Sequence, residues 1–195
     1  MPDEHLHIGT AGSVNPCATS VNDTYNIYET PRPSRMSVYL QKLHVDIESN
    51  ATREINGELL EYKTKLDGTK GLEEKLTESG FSRAQINEAL RKKGIYTQKA
   101  IKFECFPSAQ EINLLLFADI KNRFDVYVFP LIRKEVETDL VMQCIHEKVV
   151  NPIMVQLNID GEFDEDLHYT SDHIYGMMYF LIDTCHLSWK AYDDQ

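Results

Sequence analysis

The stretch from Ser171 to Trp189, SDHIYGMMYFLIDTCHLSW, places the tightest limit on what this chain can fold into. Ile174, Met178, Leu181 and Cys185 recur at i, i+4, i+7 and i+11, and Tyr175 and Met177 widen the stripe. That is the period of a helix that buries one broad face. Gly176 lies inside the pattern, where glycine costs a helix up to about 1 kcal/mol against alanine. Its presence predicts a neighbouring backbone passing close by. After Asp183 the alternation Cys185-His186-Leu187-Ser188-Trp189 reads as a short strand or an extended tail.

Helical grammar recurs upstream. Ser82 with Gln85 forms a capping box, and Phe81 with Ile86 occupies the two positions of a hydrophobic staple, so a helix is expected from Ser82 toward Phe103, with Gly94 as a point of bending. Ser108 with Glu111 reads as a second capping box. Ile112, Leu115, Leu116, Ile120 and Phe124 follow at helical spacing, with Leu114 and Phe117 widening the stripe into a central helix. Pro130 is expected to kink or end it near Phe129. Val141, Ile145, Val149, Ile153 and Leu157 keep an unbroken i, i+4 repeat, which predicts a helix over Thr138 to Leu157, bent or broken at Pro152. A short helix is expected from Leu72 to Glu78, closed by Ser79-Gly80.

Two stretches give weaker signals. Between Ser37 and Ile47 the apolar residues mix periods of two and three, so helix and strand both fit. Asn56-Gly57 marks a turn rather than a hairpin, because its flanks carry few β-branched residues. Asp160 to Asp166 reads as an acidic surface loop. Residues 1–34, rich in Ser, Thr, Asn, Gly and Pro, read as a flexible tail before a helical domain over residues 35–195. The expected fold class is mainly α, a single compact multi-helix domain.

Charge and composition narrow the function classes. A formal net charge of −11 over 195 residues argues against tracking a nucleic-acid backbone. Arg91-Lys92-Lys93, the one tight basic run, reads as a solvated helix face. No apolar run is long enough to span a membrane and no secretory pattern opens the chain, so a soluble cytoplasmic protein is expected. Cys17, Cys105, Cys144 and Cys185 show no C-x-x-C spacing and read as reduced, buried thiols, with no local support for zinc.

Candidate chemistry is sparse. His5 and His7 stand isolated in the tail, and Gly9-Thr10-Ala11-Gly12-Ser13 lacks the Lys-Ser/Thr pair of a phosphate loop. Cys144 with His146 and Cys185 with His186 pair thiol and imidazole only in sequence, since helical residues one or two apart point to different sides. His168 and His173, with Asp166 and Asp172, offer imidazole and carboxylate to a metal, and together with Cys185 and His186 they make a small metal-dependent hydrolase the alternative reading. Carboxylates beside a helix start also complement its dipole, which is the packing account of the same residues. Neither a cofactor nor a catalytic set is expected. Tyr and Trp are amphipathic anchors and Met adapts to irregular partners, so His173, Tyr175, Gly176, Tyr179, His186 and Trp189 are the candidate interaction residues, for a partner or a second copy. Core packing is the alternative. Trp189 decides between them because it lies beyond the expected helix end.

Several stretches, taken in order, resemble a helical C-terminal domain of the third component of prokaryotic ABC-three-component conflict systems. They are Asp67-Gly68-Thr69-Lys70-Gly71-Leu72-Glu73-Glu74-Lys75-Leu76, Pro107-Ser108-Ala109-Gln110-Glu111-Ile112-Asn113, Tyr127-Val128-Phe129-Pro130, His173-Ile174-Tyr175-Gly176-Met177-Met178-Tyr179 and Cys185-His186-Leu187-Ser188-Trp189. The resemblance implies a defence assembly in which an SMC-like ABC ATPase works with a small middle component and this third protein. In larger relatives an effector module precedes the domain. The short tail in that place here implies a non-catalytic adaptor or regulatory subunit.

Overall fold

The structure is a computed structural model that describes residues 32–66, 70–162 and 164–189. Residues 1–31, with His5, His7, Cys17 and the Gly9 to Ser13 stretch, lie outside the described residues, as does the break at Asp67 to Thr69. Every regular element among the described residues is helical. The described residues from 33 onward belong to one compact unit. None of these helices is long and apolar enough to cross a membrane.

The ambiguous stretch is helix α1 (Arg35–Glu48), started by Ser34 Oγ accepting the Ser37 N–H at 3.0 Å. Its mixed period has a physical cause: Leu40 and Leu43 face the core while Val38 and Val45 face solvent. Asn56 is a helix cap rather than a free turn, its Oδ1 accepting the Glu58 N–H at 2.9 Å to begin α2 (Gly57–Lys63). Helix α3 (Leu72–Glu78) has the expected limits, and Gly80 takes the left-handed conformation after it, with φ +82°. Helix α4 (Arg83–Phe103) starts with the expected capping box on Ser82 and Gln85 and passes through Gly94 without a break.

Helix α5 (Pro107–Arg123) corrects one expectation. Ser108 and Glu111 form no capping box: Phe106 holds the cap position, Pro107 begins the helix, and the Ser108 N–H donates to the buried Asp46 carboxylate of α1 at 2.9 Å. Glu111 instead pairs with Arg53 at 2.6 Å. A neighbouring helix supplies the missing cap. Ala109, Ile112, Leu116, Phe117 and Ile120 are buried, as befits the central helix.

Neither internal proline ends its helix. α5 runs through a π-helical turn, Phe124–Val128, into α6 (Phe129–Arg133), and α7 (Thr138–Ile145) runs through His146–Val150 into α8 (Asn151–Asp160). The Phe129 N–H bonds Phe124 O and the Asn151 N–H bonds His146 O, each five residues back. The widened turn stands just before Pro130 and Pro152, where an ordinary helical turn would meet the proline ring at a cost of about 3 kcal/mol. The two bulged helices also serve each other: Cys144 Sγ donates to Tyr127 O at 3.6 Å, and Arg123 Nη1 donates to Lys148 O at 3.5 Å.

Helix α9 (Ser171–Asp183) makes its most extensive contact with α4. A Cβ added to Gly176 would run into the Lys92 carbonyl oxygen and lie 2.7 Å from Tyr96 Cβ, which is the close approach the sequence predicts. Tyr96 meets Phe180 edge-on at 5.7 Å, and Phe180 stacks on Phe117 of α5 at 5.8 Å. Beneath them the Tyr96 and Tyr169 hydroxyls donate to Asn113 Oδ1 at 3.2 and 3.1 Å, and Asn113 Nδ2 donates to Ala109 O at 2.8 Å. Beyond Asp183 the chain forms neither strand nor extended tail. It turns back through Cys185, φ +68°, and returns Leu187 and Trp189 to the core, with the indole 4.8 Å from Phe81 and 6.1 Å from Phe124.

Two pairs of measurements test this packing. Gly176→Ala is expected to destabilise the fold by about 1–3 kcal/mol in urea denaturation, against alanine's intrinsic preference for helix. Gly94→Ala, where an added Cβ meets nothing within 4 Å, is expected to stabilise it by about 0.4–1 kcal/mol. Equal effects at both positions would mean that α4 and α9 do not touch at Gly176. Trp189→Ala is expected to cost about 3–5 kcal/mol. A loss under about 1 kcal/mol would place the indole outside the core.

Candidate functional site

The basic run on α4 is not simply a solvated face, because its side chains pin α9. Arg91 Nη2 reaches Asp172 Oδ2 at 2.8 Å, Lys92 Nζ lies 3.4 Å from Asp172 Oδ1, and Lys93 Nζ pairs with Asp183. The Arg91 guanidinium holds the Asp172 carboxyl below the usual range and takes Glu88 down to about 2. Lys92 also sits over the Tyr175 ring, 4.2 Å from its centre. Such half-exposed pairs contribute little each, so their role is to set the register of α9 on α4.

The candidate interaction residues separate into two groups. Gly176, Tyr179 and Trp189 are buried within the chain itself. His173, Tyr175 and His186 are half-buried at its surface. His173 works as the capping residue of α9, its Nδ1 accepting the Thr170 N–H at 3.1 Å, so this imidazole is needed neutral. Burial and the nearby Lys99 hold its pKa below the usual value, in keeping with that role. The Tyr175 hydroxyl lies 3.3 Å from His146 Nδ1. His186 packs against the Tyr62 ring at 5.0 Å and donates from Nε2 to Glu61 O at 3.1 Å.

The residues of the hydrolase alternative are spent on separate groups. His168 Nε2 bonds Glu165 O at 3.0 Å, His173 caps α9 and His186 bonds Glu61. Among the described residues no group of three or more His, Cys, Asp or Glu is placed to hold a metal ion. The thiol and imidazole neighbours also turn to different partners: Cys144 to Tyr127 O and His146 to Tyr175, Cys185 to Lys75 and His186 to Glu61. Cys105, Cys144 and Cys185 are half-buried rather than fully buried, and burial pushes the Cys144 thiol up.

A concave place that no sequence signal marks lies beside the C-terminal hook. A cleft of about 330 Å³ is lined by Leu66, Lys121, Asp125, Phe129, Cys185, His186 and Ser188. Lys121 Nζ donates to Asp125 Oδ2 at 2.9 Å and toward His186 O at 3.4 Å, and so ties α5 to the C-terminal hook. On α3, Lys75 Nζ donates to Ile182 O at 2.8 Å and Asp183 O at 3.0 Å, capping the end of α9, while Asp183 Oδ1 accepts the Leu72 N–H at 2.8 Å. No local signal marks Lys75, because its partners lie more than a hundred positions along the chain.

No curated protein and no solved structure matches this chain. A family model does, over residues 71–189, a span that begins just before α3 and ends on the indole that closes the core. The chain therefore belongs to the family described as C-terminal domain 9 of the ABC-three component (ABC-3C) systems.

Proposed function

We propose that this protein is a non-catalytic adaptor subunit of a prokaryotic, cytoplasmic ABC-three-component defence system. It docks on the partner ABC-type ATPase and on the small middle component. Family membership over residues 71–189 carries the reading. The local chemistry supports it: the candidate histidines and thiols serve as caps and packing groups rather than as an aligned nucleophile and base. Docking uses the surface part of α9, where Tyr175 lies beneath Lys92 and beside His146, with His173 at the start of the helix and His186 beyond its end. A half-buried tyrosine flanked by a cation and an imidazole is the kind of anchor that protein interfaces favour.

Co-expression of the full chain with the products of its neighbouring genes tests this reading. An ABC-type ATPase and a small companion protein are expected to co-purify with it through size-exclusion chromatography. If neither is retained, or if the neighbouring genes encode no ABC-type ATPase, the adaptor reading fails. Tyr175→Ala is expected to weaken the complex at least tenfold, about 1.4 kcal/mol, with little change in the melting temperature of the free protein. Undiminished binding by that variant would move the docking surface away from α9.

A further inference from the structure

Lys75 Nζ and Cys185 Sγ stand 2.5 Å apart although 110 positions separate them in the chain. The lysine is aimed there by the two carbonyls it caps, Ile182 O and Asp183 O. The cysteine is aimed by its left-handed backbone, φ +68°, which turns the hook back over α3. Cys185 also lines the 330 Å³ cleft, so a small oxidant has a path to the sulfur. Amine and thiol are thus held together, on two different elements, at the edge of an opening.

We propose that Lys75 and Cys185 form a redox-controlled crosslink in which a single oxygen atom bridges the lysine nitrogen and the cysteine sulfur, with a peroxide as oxidant. In the first step the sulfur attacks hydrogen peroxide. An S–O bond forms as the O–O bond breaks, one water leaves, and the thiol becomes a sulfenic acid. In the second step another peroxide accepts two electrons and two hydrogens, one from the sulfenic O–H and one from the lysine N–H. An N–O bond forms and two waters leave. The net change is one thiol, one amine and two peroxides giving one S–O–N bridge and three waters, with sulfur and nitrogen each oxidised by two electrons. A thiol reductant reverses it. The bridge joins α3 to the hook beyond α9 and closes a loop of more than a hundred residues, and constraining a long loop in the unfolded chain stabilises the folded one.

Peptide mapping by mass spectrometry of the full chain, with and without hydrogen peroxide, tests this. The expected product is a crosslinked pair of peptides, one carrying Lys75 and the other Cys185. Its mass exceeds their sum by one oxygen less two hydrogens, and it is lost on adding dithiothreitol. The peroxide-treated protein should melt several degrees above the reduced protein. Lys75→Arg, which keeps the positive charge at the end of α9, should show neither the crosslink nor the shift, and Cys144→Ser should show both. Oxidation of Cys185 to sulfinic acid or to a disulfide without the crosslinked pair would overturn the proposal. So would a crosslink that persists in Lys75→Arg.

Discussion

The contact on which most of this fold depends is the absence of a side chain at Gly176. With only a hydrogen there, α9 comes down onto the Lys92 carbonyl and Tyr96 of α4, and the largest helix contact among the described residues forms. That approach brings Tyr96 and Phe180 together and lays Phe180 flat on Phe117, so three helices share one aromatic centre. It also brings Asp172 within reach of Arg91 and Lys92. Beneath the rings Asn113 accepts both tyrosine hydroxyls, and burial raises both phenols, so they stay protonated as donors. A methyl group at position 176 would separate these parts together.

Much of the helical framework was legible because its signals are local. The Ser82–Gln85 capping box, the limits of α3 and the glycine at 176 each follow from residues a few positions apart. What was not legible depends on partners far along the chain. Ser108 carries a local capping pattern, but Asp46 takes its N–H from another helix and Arg53 takes Glu111. Asn56-Gly57 looks like a turn in isolation, and becomes a helix start where Gln110 of α5 accepts the Asn56 N–H at 2.9 Å. α1 resisted assignment because it carries apolar residues on its solvent side as well as its core side.

The site was legible in part for the same reason. The apolar stripe of α9 and its flanking polar residues could be read, but which of them face outward could not. Tyr179 and Trp189 turn inward, whereas Tyr175 stays at the surface beneath a lysine brought by α4. The cleft and the Lys75–Cys185 pair are assembled by the hook beyond α9, and its backbone turn at Cys185 has no glycine or proline to announce it.

The two proline-bearing helices also solve a problem of angular phase. At 3.6 residues per turn, a side chain every fourth residue drifts around the helix by about 40° per step, so a long repeat of that kind soon leaves the core. Yet Val141, Ile145, Val149, Ile153 and Leu157 are all buried, as are Ile112, Leu116, Ile120, Phe124, Val128 and Ile132. The extra residue held in each π turn takes back about 100° and returns the stripe to the inside. Deleting one residue from either turn would therefore rotate everything beyond it by about 100° against the core and restore the clash at the proline. In these two segments the number of residues is a firmer constraint than the identity of most of them.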